Sequence, residues 1–229
     1  MQLYPRGIVS VVSDTWDLWK VLTETLPSLK SEITAREGKL VIRPDSGDPV
    51  LIITGDASKA PGSPAHKGVV QLLWEVFGGR VNGNGYKELD THIGTIYGDS
   101  ITEERARQIC ERLKEKGFAS TNVVFGVGSY TYQYVTRDTN GFAVKATWAR
   151  VNGQERMLFK DPITDTGEKK SARGRMVVVN DGGSLRMIDG LTAHQQAEYS
   201  ADNLLQTVWV NGRFVKRHTL AEIRRRVNG

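Results

Sequence analysis

Val41-Ile42-Arg43-Pro44-Asp45-Ser46-Gly47-Asp48-Pro49 is the stretch around which the rest of the chain is organised. It starts as the end of an apolar run, Leu40–Ile42, which is typical of a short buried strand. Pro44 then forces Arg43 into an extended backbone, and the four residues from Ser46 onward have turn chemistry. The stretch therefore predicts a cation and a carboxylate at the carboxyl end of a strand, where parallel α/β folds bind their ligands. By itself it is equally well explained by a surface ion pair that closes a turn.

Similar polar breaks follow other apolar runs, and helical patterns come between them. The predicted strands are Ile8–Val12, Lys39–Ile42, Ile93–Tyr97 and Asn122–Phe125. Either Ser13 or Asp14 can cap the helix after the first strand, and Ser100 with Glu103 has the spacing of a capping box after the third. Strands alternating with helices predict a parallel sheet that is covered by those helices.

A glycine-rich turn, Gly126-Val127-Gly128-Ser129, follows the fourth strand and leads into a predicted helix from Tyr130 to about Asp138. Such a turn exposes backbone N–H groups at the positive end of a helix, which suits a phosphate group. The pattern is not a full GxGxxG motif. A tight turn that binds no ligand explains it equally well.

Beyond about residue 140 the pattern changes to hairpins. The predicted strand pairs are Phe142–Val151 with Glu155–Phe159, Arg173–Val179 with Leu185–Ile188, and Thr207–Val210 with Phe214–Val215. Two of their turns are Asn-Gly, which is the strongest short hairpin signal. Thr219 and Glu222 cap a last, basic helix. We therefore predict a first domain over residues 1–140 and a hairpin extension over residues 141–229 that packs on it.

About four βα units account for half of a closed βα barrel, which needs eight strands. The fold class expected is therefore α/β, with half of an irregular TIM-like barrel and antiparallel hairpins at the carboxyl-terminal end. This interpretation requires another polypeptide to supply an amino-terminal half. A small open sheet that is complete in itself is the alternative.

Composition excludes several classes of protein. The chain has 229 residues, 39% of them hydrophobic, with one cysteine, Cys110, and scattered histidines, which argues against disulfides and against a metal site built from protein side chains. No apolar run is long enough to span a bilayer, and the start is not a signal peptide. We expect a cytoplasmic protein that does not bind membranes. A net charge of +5 suits an anionic ligand; nucleic-acid binding is the weakest of the interpretations.

Together the predicted strand ends and the segments after them carry carboxylates, cations and backbone amide donors. These residues are Ser10, Asp14, Arg43, Asp45, Gly98, Asp99, Gly128, Ser129, Arg137 and Lys145. Carboxylates orient sugar hydroxyls and stabilise positive charge on a sugar, while arginine and lysine neutralise phosphate. The mixture points to a phosphorylated sugar that reacts through a cationic transition state.

Six ordered motifs give the chain a resemblance to the nicotinamide phosphoribosyltransferase family. They are Ile8–Asp14, Ile42–Gly47, Tyr97–Asp99, Phe125-Gly126, Thr136–Asp138 and Phe159–Pro162. The resemblance covers essentially the whole chain but only the carboxyl-terminal half of those enzymes. It implies a type II phosphoribosyltransferase, a homodimer with sites at the subunit interface.

The activity that the resemblance implies is transfer of phosphoribose from phosphoribosyl pyrophosphate to nicotinamide, giving nicotinamide mononucleotide and pyrophosphate. Mg²⁺ accompanies the pyrophosphate, and ATP hydrolysis through a phosphohistidine assists. The family's phosphorylated histidine, nicotinamide-binding aspartate and ring-stacking aromatic residue all belong to the amino-terminal half. Nicotinate phosphoribosyltransferase is the runner-up, and a fragment that binds phosphoribosyl ligands or a partner without turnover is the alternative of a different class.

Residue roles carry over from the resemblance by position. Arg43 would contact pyrophosphate and the nicotinamide end, and Asp45, after Pro44, would lie beside the reacting ribose, so these two are the expected catalytic residues. Gly98 and Asp99 would hold the ribose hydroxyls. The remaining roles follow: Gly128, Ser129 and Arg137 on the nucleotide phosphate, Lys145 and Lys169 on the pyrophosphate side, and Ser10 and Asp14 as supporting residues. Ser129, Tyr130 and Ala143 depart from the vertebrate pattern, which predicts altered affinity without loss of the chemistry.

Overall fold

The computed structural model describes residues 3–131, 133–135, 139, 143–164 and 170–228. Its contacts divide the chain into two units. The first consists of Met1–Val144 with Lys160–Ser171, and the second of Lys145–Phe159 with Ala172–Gly229. Segment 160–171 of the first unit thus comes from the part of the sequence that we assigned to the hairpin extension. The domain boundary at residue 140 stays a prediction.

The first unit contains strands and short helices in alternation. Its strands are β1 (Arg6–Val12), β2 (Glu37–Arg43), β3 (Gly79–Val81), β4 (Lys87–Leu89), β5 (Ile93–Tyr97) and β6 (Val123–Phe125). Its helices are α1 (Leu18–Lys20), α2 (Leu26–Ser28), α3 (Lys30–Thr34), α4 (Pro49–Thr54), α5 (Pro64–Lys67), α6 (Val69–Phe77) and α7 (Glu103–Glu115), with a π-helical turn, Val21–Thr25, joining α1 to α2.

Strands β1, β2, β5 and β6 form a parallel sheet in that order, which confirms the predicted parallel arrangement. Alternate residues such as Leu40, Ile42 and Ile93 are buried in the core with the helices. By register, the opposite face carries Ile8 and Val124, which are 76% and 57% exposed. The sheet is therefore covered by helices on one face and open on the other in the described part of the chain.

The helix predicted over His66–Phe77 is broken into α5 and α6 by Gly68. A Cβ on Gly68, which has φ +82°, would lie 2.2 Å from the backbone nitrogen of Gly55. The backbones at Gly55 and Gly68 are therefore in close contact. Two cations stabilise this contact: Arg112, in α7, donates to the Gly55 carbonyl at 2.6 Å, and Lys116, the residue after α7, donates to the Thr54 carbonyl. Burial lowers the pKa of Lys116, with a smaller contribution from the charge of Arg112. A residue-by-residue helical pattern cannot detect such a contact between backbones.

Both predicted helix caps in the first unit are wrong. Helix α1 is capped by Asp17, whose carboxylate accepts the Lys20 N–H at 3.0 Å. Helix α7 is capped by Thr102, whose hydroxyl accepts the Arg105 N–H at 3.2 Å, and Ser100 instead adopts φ +55° in the turn before it. Several polar residues precede each helix, and the sequence alone does not select among them.

The second unit consists of the predicted hairpins and two helices, of which only the last was predicted. Its elements are β7 (Trp148–Val151), β8 (Gln154–Met157), β9 (Arg175–Asp181), β10 (Ser184–Leu191), α8 (Ala193–Glu198), β11 (Trp209–Val210), β12 (Arg213–Phe214) and α9 (Leu220–Asn228). The antiparallel pairs β7–β8, β9–β10 and β11–β12 confirm the three hairpins. Thr219 and Glu222 form the predicted capping box of α9. The first strand is shorter than predicted, since only Trp148–Val151 pairs; Phe142 lies outside the described residues.

In the second unit Trp148 lies under two guanidinium groups, those of Arg175 at 4.3 Å and Arg150 at 5.6 Å from its ring centre. Glu155 accepts hydrogen bonds from both arginines. The bonds from Arg175, and then those from Arg150, lower the pKa of Glu155 to about 2. This cluster ties β7–β8 to β9. Among the residues described, no helix is long and apolar enough to cross a membrane.

Candidate active site at the carboxyl edge of the parallel sheet

Two glycines, Gly98 and Gly126, follow β5 and β6 near the side chain of Arg43, where β2 ends. A Cβ on Gly98, the residue after β5, would lie 3.5 Å from Nη2 of Arg43, the last residue of β2. A Cβ on Gly126, the residue after β6, would lie 2.6 Å from the Gly98 Cα. Glycine is therefore required at residue 126 for the backbones to approach, whereas a Cβ at residue 98 would meet the Arg43 guanidinium at an ordinary van der Waals distance.

Asp45 lies between two cations. Its Oδ1 is 3.7 Å from Arg43 Nη2, and its Oδ2 is 3.8 Å from Lys160 Nζ. The side chains of Arg43, Asp45 and Lys160 are 43%, 30% and 22% exposed. Long, partly exposed ion pairs of this kind stabilise a fold by only about 0–1 kcal/mol. Both cations therefore keep most of their capacity to bind an anion beside the carboxylate.

The Asp14 side chain is fully buried and holds the loop after β2, which carries Asp45 and Ser46. Its Oδ2 accepts the backbone N–H of Asp45 at 2.7 Å and the hydroxyl of Ser46. Its Oδ1 is buried and has no hydrogen-bond partner among the described residues. The helix cap predicted for Asp14 is wrong because its carboxylate is used 31 residues further along the chain. A supporting role for Asp14 is consistent with these contacts.

Tyr97, at the end of β5, holds the same loop from the core. Its side chain is fully buried, and its hydroxyl donates to the carbonyl oxygens of Ser46 at 2.8 Å and Gly47 at 3.0 Å. Burial raises the pKa of Tyr97 far above its usual value, and the charges of Asp99, Asp14 and Asp45 raise it further. Tyr97 therefore joins the end of β5 to the loop after β2.

The segment from Lys160 to Thr164 is joined to two of the strand-end loops. The N–H of Asp161 donates to the Thr15 carbonyl at 3.2 Å, and the N–H of Ile163 donates to the Trp16 carbonyl at 3.0 Å. The hydroxyl of Thr164 bonds to that of Ser46. Lys160 is thereby brought to Asp45 from 115 residues further along the chain.

The predicted site residues fall into three groups. Asp14, Arg43, Pro44, Asp45, Gly98 and Asp99 lie at the strand ends of the first unit. Ser10 lies inside β1, on the open face of the sheet, and Gly128 lies in an exposed turn with open space where its Cβ would be. Lys145 is exposed and belongs to the second unit, and Arg137 and Lys169 lie outside the described residues.

The helix predicted after the glycine-rich turn is wrong where the structure describes it. A single 3-10 turn, Ser129–Thr131, replaces its start, and Gln133–Val135 are not helical. Thr136–Asp138 lie outside the described residues. The described part of this segment therefore has no helix amino terminus. Only the backbone N–H groups of the turn at Gly128 and Ser129 are left there to bind a phosphate group.

Sequence reasoning missed four residues of this cluster: Ser46, Tyr97, Lys160 and Thr164. Lys160 stands in the Phe159–Pro162 motif of the resemblance, so a signal existed, although no role was assigned to it. Tyr97 ends a predicted strand and begins the Tyr97–Asp99 motif of the resemblance, but no role was assigned to it. The link between Ser46 and Thr164 has no local signal, because it joins residues 118 positions apart.

Two cavities of the first unit are not lined by Asp45. One, of about 360 Å³, is bordered by Lys39, Arg80 and Thr121, and the other, of about 500 Å³, lies between β1 and the α1–α2 segment. The second is lined by Ser13 and Thr15, the neighbours of Asp14. Within the described residues no group of three or more histidine, cysteine or acidic side chains could hold a metal ion. The cluster can thus bind an anion and stabilise an adjacent positive charge, and a metal ion would need ligands from elsewhere.

Comparison with known proteins identifies the family of this chain. Residues 6–213 match the nicotinate phosphoribosyltransferase family. The chain is similar to proteins named nicotinamide phosphoribosyltransferase from Acinetobacter baylyi, at 53% identity over 99% of this chain and 45% of the relative. A second relative of that name, from Xanthomonas campestris, is 40% identical over 96% of this chain and 44% of its own length. A third, from Mycoplasma pneumoniae, is 42% identical over 76% of this chain and 39% of its own length.

The chain spans about half the length of these relatives. The family match, by contrast, extends over nearly all of the chain, from β1 to the start of β12. It includes both the strand-end cluster of the first unit and the hairpins of the second. The chain therefore belongs to the nicotinate phosphoribosyltransferase family.

Proposed function

We propose that this chain carries the phosphoribosyl half of an enzyme that transfers phosphoribose from phosphoribosyl pyrophosphate to nicotinamide, in the salvage of NAD. The products are nicotinamide mononucleotide and pyrophosphate. The relatives' names support the reaction. The observation that carries the proposal is Asp45 between Arg43 and Lys160, at 3.7 and 3.8 Å, at the carboxyl edge of a parallel sheet.

The proposed chemistry is a dissociative displacement at the anomeric carbon of the ribose. As the bond to pyrophosphate breaks, negative charge develops on the leaving group and positive charge on the sugar. Arg43 and Lys160 are suited to the first charge and Asp45 to the second, because fixed charges aimed at developing charges lower the barrier. The ring nitrogen of nicotinamide then forms the new bond to the anomeric carbon.

Other residues are assigned to binding. Gly98 and Asp99 would hold the ribose hydroxyls, and Ser10 and Asp14 would support the site. The nucleotide phosphate is assigned to Gly128, Ser129 and Arg137, and the pyrophosphate side to Lys145 and Lys169. The resemblance supports these roles, and the glycine-rich turn adds exposed backbone amides for a phosphate.

Mg²⁺ would enter with the pyrophosphate. It prefers oxygen ligands and usually keeps several waters, with one or two carboxylates and substrate phosphates completing its shell. The partly exposed carboxylate of Asp45 fits such a shared shell, and the ion would neutralise charge on the leaving group. ATP coupling is proposed only for the assembled enzyme, because none of the chain's histidines matches the family's phosphorylated one.

The open face of the sheet favours a half-barrel that an amino-terminal half completes. Ile8, Val12 and Val124 on that face are about half exposed or more, which is unusual for apolar residues of a parallel sheet. The strand-end cluster lines neither cavity of the first unit, which suits a site with walls supplied by other chain segments. We further propose a homodimer that acts in the cytoplasm.

The test is a product assay. The chain is purified alone and after co-expression with the amino-terminal half of the Acinetobacter baylyi relative, and nicotinamide mononucleotide is measured from nicotinamide and phosphoribosyl pyrophosphate. We expect product from the assembled form only. Nicotinate is offered in parallel, since the family's name favours it as the second candidate substrate. Faster turnover of nicotinate would reassign the base, and turnover of neither base would contradict the proposal.

A further inference from the structure

A directed chain of hydrogen bonds runs from Thr164 to Asp14. The Ser46 hydroxyl donates its single proton to Asp14 Oδ2, so its oxygen is left as an acceptor toward the Thr164 hydroxyl. Thr164 must therefore donate to Ser46. Because the same Asp14 oxygen accepts the Asp45 N–H, one buried carboxylate anchors both the loop that carries Asp45 and the segment that carries Lys160.

Thr164 holds one end of the Lys160 segment. At the other end, Lys160 and Ser171 are joined by two bonds, from the Lys160 N–H to Ser171 Oγ at 2.9 Å and from the Ser171 N–H to the Lys160 carbonyl at 3.0 Å. Between the ends, the N–H groups of Asp161 and Ile163 bond to the loop after β1, and the Asp161 carboxylate pairs with Lys170 at 3.1 Å. Among the described residues, the Thr164 hydroxyl thus adds a side-chain hydrogen bond between this segment and the loop of Asp45, beside the ion pair of Lys160 with Asp45.

Packing at the next residue of the loop adds to this link. Gly47 has φ +82°, and a Cβ on it would lie 2.6 Å from the carbonyl oxygen of Thr164. The backbone of Thr164 is therefore in close contact with the loop at Gly47 while its side chain bonds to Ser46. The hydrogen bond at Ser46 and the close backbone contact at Gly47 together fix the position of Thr164 relative to this loop.

We propose that Thr164 is a positioning residue that keeps the Lys160 ammonium group beside Asp45, where it meets the pyrophosphate group of a ligand. The proposal rests on the proposed function for the identity of the ligand. A lysine side chain has a long flexible stem, so its charge contributes at a fixed point only if its backbone is fixed. Loss of the Thr164 hydroxyl frees the backbone and lets the ammonium group leave Asp45.

The main test measures binding of inorganic pyrophosphate to the full chain by calorimetry. Thr164→Val keeps the shape and removes the hydroxyl, and we expect about tenfold weaker binding, the usual effect of losing one buried hydrogen bond. Thr164→Ser restores the hydroxyl and should bind within about twofold of the unchanged chain. Thr54→Val is the matched control, because it removes a buried hydroxyl whose bond, to the Val50 carbonyl at 2.7 Å, stays inside α4.

A double-mutant cycle separates positioning from a general structural role. If Thr164 acts through Lys160, Thr164→Val should change pyrophosphate affinity by less than about twofold once Lys160→Met is present, because coupled residues are not additive. A merely structural role predicts the same tenfold loss in both backgrounds. Additive losses, or an equal loss in Thr54→Val, would overturn the proposal.

A second measurement keeps the proposal independent of the ligand. If the unchanged chain binds no pyrophosphate, the proposed function fails for this chain alone, and hydrogen exchange of individual amides then tests the positioning. Thr164→Val should speed exchange at Asp45 and Asp161 by about tenfold relative to Thr54→Val, since their bonds lose a common support. Unchanged exchange at both amides would overturn the positioning role.

Discussion

The carboxylate of Asp14 and the backbone amide of Asp45, 31 residues apart in sequence, are joined by a hydrogen bond of 2.7 Å. Asp14 follows β1 and Asp45 follows β2, so this bond fixes the ends of two neighbouring parallel strands relative to each other. Because the bond fixes the backbone of Asp45, it helps to hold the Asp45 carboxylate between Arg43 and Lys160 in a loop rich in Gly and Pro.

Replacing Asp14 by alanine should destabilise the first unit by about 2–4 kcal/mol, because the Asp45 amide and the Ser46 hydroxyl each lose their acceptor. The free energy of unfolding in urea measures the effect. Asp17→Ala is the control, since it removes only an exposed helix cap and should cost about 1 kcal/mol. Equal losses in the two variants would refute the anchoring role.

Gly126→Ala should destabilise the chain by about 1–3 kcal/mol, because its Cβ would lie 2.6 Å from the Gly98 Cα and the strand ends would have to separate. Gly128→Ala is matched to it, two residues further on, with no atom within 4 Å of the added Cβ. Thermal unfolding of both variants should show a lower midpoint for Gly126→Ala alone. A midpoint shift of the same size in both would contradict the close approach.

Tyr97→Phe should cost about 1–2 kcal/mol of stability, because it leaves the Ser46 and Gly47 carbonyl oxygens without the hydroxyl that bonds to them. In the folded chain burial, aided by Asp99 and Asp14, raises the pKa of Tyr97 far above 10. Its phenolate should therefore form only on alkaline unfolding. If Tyr97→Phe removed a phenolate signal that appears before unfolding, the burial argument would fail.

The sheet was predictable because each of its strands contains several apolar residues and is followed by Ser, Pro or Gly. The hairpins of the second unit were predictable for a similar reason, since Asn152 and Asn211 adopt positive φ in Asn-Gly turns. Both signals are local. They depend on residues that are neighbours in sequence.

The contacts that build the site were not predictable, because they join distant residues. Asp14 was one of two candidate caps of the helix after the first strand, because aspartate is favoured at that position. Its carboxylate instead accepts the distant Asp45 N–H. Lys160 and Thr164 reach Asp45 and Ser46 from segment 160–171, and although Lys160 stands in the Phe159–Pro162 motif, no local pattern predicts either contact.

Glu155→Gln tests the arginine cluster of the second unit. The folded pKa of Glu155, about 2, lies below its ordinary value of 4.5, so the carboxylate stabilises the fold fully above pH 4.5. That contribution is lost as the pH falls from 4.5 toward 2. The gap in unfolding free energy between the unchanged chain and Glu155→Gln should therefore be constant near neutral pH and shrink in this window. A gap that widens on acidification would contradict the assigned ion pairs.

The most direct test of the central claim is the rate of nicotinamide mononucleotide formation by the assembled enzyme carrying Asp45→Ala or Arg43→Ala. The proposed site predicts a loss of about 100-fold or more in kcat for each, because each removes a charge aimed at the transition state. Gly83→Ala, which adds only a methyl group in open space outside the proposed site, is the control and should leave the rate unchanged. Near-normal turnover by Asp45→Ala would contradict the account.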